Sequence, residues 1–226
     1  MISPSGLGEK IGLFGGTFDP VHNGHLSAAA EVRDSLSLDS VLFIPAPYPP
    51  HKIVHNLSSF EDRVAMLECA VAEMHGFFVS RIEADRSTPS YTIDTLEILQ
   101  TSLGEEAVIF FILGLDSFME LDTWKDYPAL TDYANLAVID RPSFSLEDFS
   151  CKLNELYEAF RQEELYGVWS RNGIPGKIYH LKITAQDISS TAIREMVCRG
   201  ESISGLVPDC VAKYIYAHHL YLYKDE

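Results

Sequence analysis

His22 and His25 stand three residues apart around Asn23-Gly24, directly behind the turn-forming stretch Gly15-Gly16-Thr17-Phe18-Asp19-Pro20. An imidazole can donate a hydrogen bond and change charge near neutral pH, and glycines let backbone N–H groups come close to a ligand. Together they suit the handling of phosphates. Near the other end of the chain, Ile188-Ser189-Ser190-Thr191-Ala192-Ile193-Arg194 sets hydroxyls fit to cap a helix within about one turn of a guanidinium that can fork onto phosphate oxygens. Two familiar phosphate motifs are missing: GxxxxGK[ST] occurs nowhere, and the early glycines do not fall at GxGxxG spacing. No Ser-His-Asp or Cys-His arrangement is evident, and no carboxylate cluster demands a dedicated metal cage.

Both groups need a rigid frame of strands and helices. Ile11–Phe14, Val41–Pro45, Phe77–Ile82, Val108–Leu113, Leu136–Ile139 and Lys177–Ile183 are short apolar or β-branched runs with helical stretches between them. This alternation predicts an α/β fold around a parallel sheet. The helices are expected at His25–Leu36, Ser59–Met74, Thr92–Ser102, a short piece at Ser117–Leu121, Leu146–Glu164, Ser189–Arg199 and Pro208–Tyr223. Gly24 and His25 would then occupy a first helical turn, where unpaired N–H groups and the positive end of the dipole attract anions. Leu146, Phe149, Leu153, Leu156, Tyr157 and Phe160 fall at helical spacing and predict one packing helix. Tyr214, Tyr216, Tyr221 and Tyr223 fit a helix docked on the sheet, and Asp19 reads as a turn former beside the site. No internal repeat or low-complexity linker interrupts the chain, so residues 1–226 read as a single domain with a helical C-terminal part from residue 189.

Composition narrows the partners. The 226 residues are 46% hydrophobic, enough for a substantial core, and carry a formal net charge of −16. A general nucleic-acid surface depends on Lys and Arg neutralising phosphates, so nucleic acid is excluded as a partner, whereas small anionic ligands are not. Cys69, Cys151, Cys198 and Cys210 are widely spread with no CxxC pair, which suggests reduced thiols. No apolar run is long enough to span a bilayer, and Met1–Glu9 lacks the regions of a signal peptide. The expectation is a cytoplasmic protein that does not engage a membrane.

The Gly-Gly-Thr-Phe-Asp-Pro-Val-His-Asn-Gly-His stretch at 15–25, together with Ile-Ser-Ser-Thr-Ala-Ile-Arg at 188–194, resembles the HxGH nucleotidyltransferase superfamily. Within it, Pro50-His51-Lys52, Ser90-Tyr91-Thr92, Gly114-Leu115-Asp116, Trp124 and Arg141-Pro142 resemble the bacterial nicotinate-nucleotide adenylyltransferase family in order and approximate spacing along nearly the whole chain. The resemblance implies a Rossmann-like, doubly wound parallel sheet with flanking helices, of the nucleotidyltransferase type. It implies that Gly15, Gly16, Thr17 and Gly24 line the ATP phosphate path, that His22 and His25 contact the reacting phosphates, and that Asp116, after Gly114, holds the ATP ribose. It also implies that Ile188, Ser189, Ser190, Thr191 and Arg194 meet the β- and γ-phosphates. Tyr91, Thr92 and Trp124 would receive the pyridine mononucleotide, with Trp124 on the ring, while Lys52 and Arg141 would neutralise charge between the substrates. His22, His25, Lys52 and Arg194 form the implied catalytic set.

The implied reaction is adenylyl transfer from ATP to nicotinate mononucleotide in NAD biosynthesis. Its nucleophile is a phosphate monoester, largely ionised at neutral pH because its second pKa is about 6, so no strong base is needed. Catalysis would rest on positioning and charge neutralisation, with Mg²⁺ arriving on ATP. Pantetheine-phosphate adenylyltransferase and nicotinamide mononucleotide adenylyltransferase stay open as alternatives, as does a nucleotide-binding regulator without catalysis. The chain would act as a monomer or homo-oligomer.

Overall fold

A computed structural model describes residues 6–47, 57–84, 90–104, 106–140, 144–165, 167–184, 186 and 188–222. Among them, strand β1 (Lys10–Gly16) is buried from Ile11 to Phe14, as an unbroken apolar run requires of a strand covered on both faces. β2 (Ser40–Pro45), buried throughout, lies beside it in parallel, and β3 (Phe77–Val79) adds to that side. On the other side follow β4 (Val108–Gly114), β5 (Asn135–Ile139) and β8 (Ile178–Leu181), also parallel. β7 (Val168–Ser170) and β6 (Arg161–Gln162) close that edge antiparallel, giving the order β3-β2-β1-β4-β5-β8-β7-β6.

Side-chain alternation splits the core into two layers. Ile11, Leu13, Ile109, Phe111 and Leu113 face α3 (Thr92–Leu103), α4 (Leu115–Met119), α5 (Leu130–Tyr133) and α6 (Leu146–Leu156). Phe14, Phe43, Phe110, Ile112 and Ile139 face α1 (Asn23–Leu36), α2 (Phe60–Val71), α7 (Ser190–Cys198) and α8 (Asp209–Ala217). Helices therefore cover both faces of a doubly wound sheet, with β1 and β4 adjacent where the strand order reverses. In such sheets the crevice at the C-terminal ends of those strands is the natural ligand position. Because α1 and α7 share one face, the two phosphate-suited stretches come together across 170 residues of sequence.

Several boundaries differ from expectation. The strand at 77–82 stops at Val79, the one at 177–183 covers Ile178–Leu181, and the short helix at 117–121 is α4 followed by a 3-10 turn at Leu121–Thr123. The helix expected over Leu146–Glu164 ends at Leu156. Tyr157 and Phe160 are buried as their spacing suggests, but they reach the core from a turn in which Phe160 N–H donates to Tyr157 O. The Tyr157 hydroxyl donates to Tyr127 O at 2.8 Å, fixing the end of α6. Burial pushes this phenol well above its ordinary range, so it stays a donor. Tyr157→Phe is expected to lower unfolding stability by about 1–2 kcal/mol in urea titrations, the cost of one buried hydrogen bond.

Of the tail tyrosines, α8 holds only Tyr214 and Tyr216, because it ends at Ala217, and Tyr223 lies outside the described residues. All four cysteines are free thiols, and no helix among the described residues is long and apolar enough to cross a membrane.

Candidate active site

His22 is the N-cap of α1 and builds a reciprocal capping box with His25. The His25 N–H donates to His22 Nδ1, and the His22 N–H donates to His25 Nδ1, each at 3.3 Å. Spending both Nδ1 atoms as acceptors puts the proton of each neutral ring on Nε2, so each Nε2 is a donor. The rings stack with centroids 3.6 Å apart, and Phe18 packs edge-on against His25 at 5.1 Å.

Two glycines make this packing possible. A Cβ on Gly24 would sit 3.1 Å from His22 Nδ1 and 3.7 Å from the Ile188 Cβ, and one on Gly16 would sit 2.8 Å from Phe18 Cζ. Phe18, at φ 51°, folds back across Gly16 to support the histidines. Gly15 and Thr17 border the same turn at the end of β1, Gly15 exposed and Thr17 half-buried.

The hydroxyls at the start of α7 divide their work. Ser189 caps the helix by accepting from Ala192 N–H at 3.1 Å, Ser190 Oγ donates to Pro20 O at 3.0 Å, and Thr191 Oγ1 accepts from Arg194 Nη2 at 3.2 Å. Arg194 Nη1 donates to Asp19 O at 2.7 Å. Ile188 closes over Gly24, so both stretches form one surface: the N-termini of α1 and α7 with Arg194 between them. Gly114 ends β4 level with Gly16 on β1, since Phe14 pairs with Ile112, and Asp116 is exposed in the first turn of α4.

Gly15 leads to a second corner. A Cβ there would lie 3.8 Å from the Phe111 ring, and Phe111 meets Trp124 edge-on at 6.1 Å. Lys125 lies over the Tyr91 ring at 5.0 Å and pairs with Asp94 at 2.8 Å, tying the Trp124 segment to the N-terminus of α3, where Thr92 is the first residue. Tyr91 is the N-cap residue of that helix, and no side chain caps it. The structure thus brings Tyr91, Thr92 and Trp124 to one place. Lys52 and Arg141, together with His51 and Pro142, lie outside the described residues.

Sequence reasoning missed three residues here. Lys125 adds a cation to the second corner, and its hydrogen bond to Asp94 raises its pKa, so it is charged. Arg63 is fully buried beneath the glycine turn, where Nη1 donates to Thr17 O at 2.7 Å and Ala46 O at 2.8 Å. Nη2 donates to Pro47 O at 3.3 Å and Nε to Ser58 O at 3.3 Å. Burial works against its charge and the nearby Asp19 carboxylate favours it. The available signal was a charge in the apolar stripe of α2, at helical spacing from Met66 and Leu67. Tyr221 is the third: its hydroxyl donates to Asp19 Oδ1 at 2.8 Å, although the sequence reading placed it on a docking helix. Asp19 is more than a turn former, being 1% exposed at the centre of these contacts.

Among the described residues no group of three or more His, Cys, Asp or Glu side chains is gathered to hold a metal ion. A cavity of about 510 Å³ lined by Asp39, Glu68, His75 and Phe77 lies at the opposite edge of the sheet and contains none of these residues.

The cytidylyltransferase-like family matches residues 13–196. A Shewanella baltica (strain OS185) protein named "Probable nicotinate-nucleotide adenylyltransferase" is 40% identical over 217 residues, covering 94% of this chain and 99% of its own length. A Desulfatibacillum aliphaticivorans protein of the same name is 41% identical over 224 residues, covering 94% and 100%. In three dimensions, Plasmodium falciparum nicotinic acid mononucleotide adenylyltransferase complexed with NaAD aligns with TM-score 0.72 at 18% identity, covering 95% of this chain and 98% of that one. That likeness shows the shared fold.

Proposed function

The chain belongs to the cytidylyltransferase-like family and, within it, to the nicotinate-nucleotide adenylyltransferases, and from that membership we propose how its residues divide the work. The enzyme transfers the adenylyl group of ATP to nicotinate mononucleotide, a step of NAD biosynthesis. The mononucleotide phosphate attacks the α-phosphorus, a P–O bond forms, and the bond to the departing pyrophosphate breaks. No base must remove a proton from an already ionised phosphate. The protein therefore has two tasks: to bring two anions together in line, and to stabilise charge on the oxygens around the α-phosphorus and on the leaving group.

The observation that carries this assignment is the joined surface of α1 and α7. His22 and His25, with Nε2 donors set by the capping box, meet the oxygens of the transferring group. Gly15, Gly16, Thr17 and Gly24 leave the backbone open to the triphosphate, and Ile188, Ser189, Ser190, Thr191 and Arg194 take its β- and γ-phosphates. Ser190 does so through its backbone N–H, because its hydroxyl is engaged on Pro20 O. Asp116, beyond Gly114, accepts from the ribose hydroxyls. Tyr91, Thr92 and Trp124 hold the mononucleotide, and Lys125 joins Lys52 and Arg141 as a cation for the acceptor side. Mg²⁺ would arrive with ATP and neutralise its phosphates. One continuous sheet carries both corners, which supports treating residues 1–226 as one domain.

Purified protein with Mg-ATP and, separately, nicotinate mononucleotide, nicotinamide mononucleotide or phosphopantetheine is the direct test. Pyrophosphate release is expected to be fastest with nicotinate mononucleotide. Release with none of the three would overturn the assignment.

A further inference from the structure

We propose that Tyr221, from the segment after α8, is a positioning residue for the reaction: through Asp19 it holds Arg194 in the orientation that meets the ATP triphosphate. The inference rests on the reading of Arg194 as a triphosphate ligand. Three observations lead to it.

Asp19 is the first. Its carboxylate is almost wholly buried, Oδ1 accepts from the Tyr221 hydroxyl at 2.8 Å, and Oδ2 has no hydrogen-bond partner among the described residues. That oxygen lies 4.0 Å from Arg194 Nη1, while the Asp19 carbonyl takes the same nitrogen at 2.7 Å. A half-satisfied buried carboxylate is costly, and a core needs none here. Its charge and its carbonyl both act on Arg194, so whatever fixes Asp19 fixes the guanidinium.

The backbone that delivers Tyr221 is the second. His219 and Tyr221 have φ of 52° and 62°, in the left-handed region that non-glycine residues avoid. Leu220 between them donates its N–H to Ile215 O and packs with Tyr221 on the α1/α7 side of the core. The chain accepts two unfavourable conformations in three residues, and the result is a phenol directed beneath the glycine turn.

The third is the company the phenol keeps. Ser58 lies close enough to the Tyr221 hydroxyl to act on it, and Arg63 Nε donates to Ser58 O while its Nη1 holds Thr17 O. Burial and the Asp19 charge push the Tyr221 pKa well up, keeping the proton that Asp19 accepts. The C-terminal segment, the start of α2 and the turn after β1 thus meet at one phenolic oxygen.

Tyr221→Phe keeps the ring and removes the bond. Its kcat/KM for ATP is expected to fall about tenfold, the worth of one hydrogen bond to a charged group, with KM for nicotinate mononucleotide within about twofold of the parent. Arg194→Ala by itself is expected to lower kcat/KM for ATP by at least as much. In the Arg194→Ala background, Tyr221→Phe should then cost less than about twofold, because the residue it positions is gone. If Arg194→Ala matches the parent enzyme, the reading of Arg194 is wrong. If Arg194→Ala is impaired but Tyr221→Phe matches the parent, or costs the same in both backgrounds, the positioning role is overturned. Should Tyr221→Phe fail to yield folded protein, Asp19→Asn, which keeps an acceptor for the phenol and removes the charge, is measured in the same two backgrounds by the same criteria.

Discussion

His25→Ala is expected to lose about a hundredfold in kcat, close to the roughly 3 kcal/mol that one well-placed donor contributes to a transition state. The KM for ATP should move little, because the Nε2 donor is proposed to meet charge that grows on the transferring group and not the resting triphosphate. Stability changes far less than turnover. The substitution removes one half of the capping box, the acceptor for the His22 N–H, whereas the other half uses the backbone N–H of residue 25 and survives. Loss of half a cap costs about 1 kcal/mol, which shifts the melting temperature of a chain this size by about 2–4 °C. His25→Gln restores a donor without the stacked ring and should recover part of the rate. Steady-state pyrophosphate release and a thermal melt on the same preparation separate the two effects. Near-parental kcat in His25→Ala would remove His25 from the chemistry.

The parts of this enzyme that can be read from the chain alone are those written locally. β1, β2, β4 and β5 are legible because strands covered on both faces must be apolar at nearly every position. His22, Gly24 and His25 are legible because their roles depend on one helical turn: the capping box needs a spacing of three, and the ring stack needs no Cβ at Gly24. β6 and β7 are not legible. Arg161-Gln162 is exposed at the sheet edge and Val168-Trp169-Ser170 is too short for alternation to register. Periodicity also ran the α6 helix through Tyr157 and Phe160, since a turn can place residues three apart on the same core as a helix would. Arg63 and Tyr221 escape for a deeper reason: each acts on a partner remote in sequence, 46 residues away for Arg63 and Thr17, and 202 for Tyr221 and Asp19. Neither residue type nor local spacing carries that information; only the placement of α2 and α8 on the face shared with α1 does.

Arg63→Ala is the substitution expected to damage the fold most, at about 3–5 kcal/mol, the range for breaking a buried, hydrogen-bonded charge arrangement from one side. The guanidinium is fully buried and donates to the carbonyls of Thr17, Ala46, Pro47 and Ser58. Alanine leaves those acceptors without their donor, and it strips the Asp19 carboxylate of a favourable neighbour. A planar fork with several donors at fixed angles can reach the ends of β1 and β2 and the start of α2 together, whereas an ammonium reaches fewer of them. Arg63→Lys should therefore recover the charge but only part of the stability, and its remaining defect should fall on ATP more than on nicotinate mononucleotide, since Thr17 is proposed to line the phosphate path. Urea unfolding of the two variants gives the stability order, parent above Lys above Ala, and kcat/KM for each substrate gives the functional one. An Arg63→Ala protein within about 1 kcal/mol of the parent would mean that water replaces the guanidinium at those carbonyls and that the turn after β1 holds its shape without it.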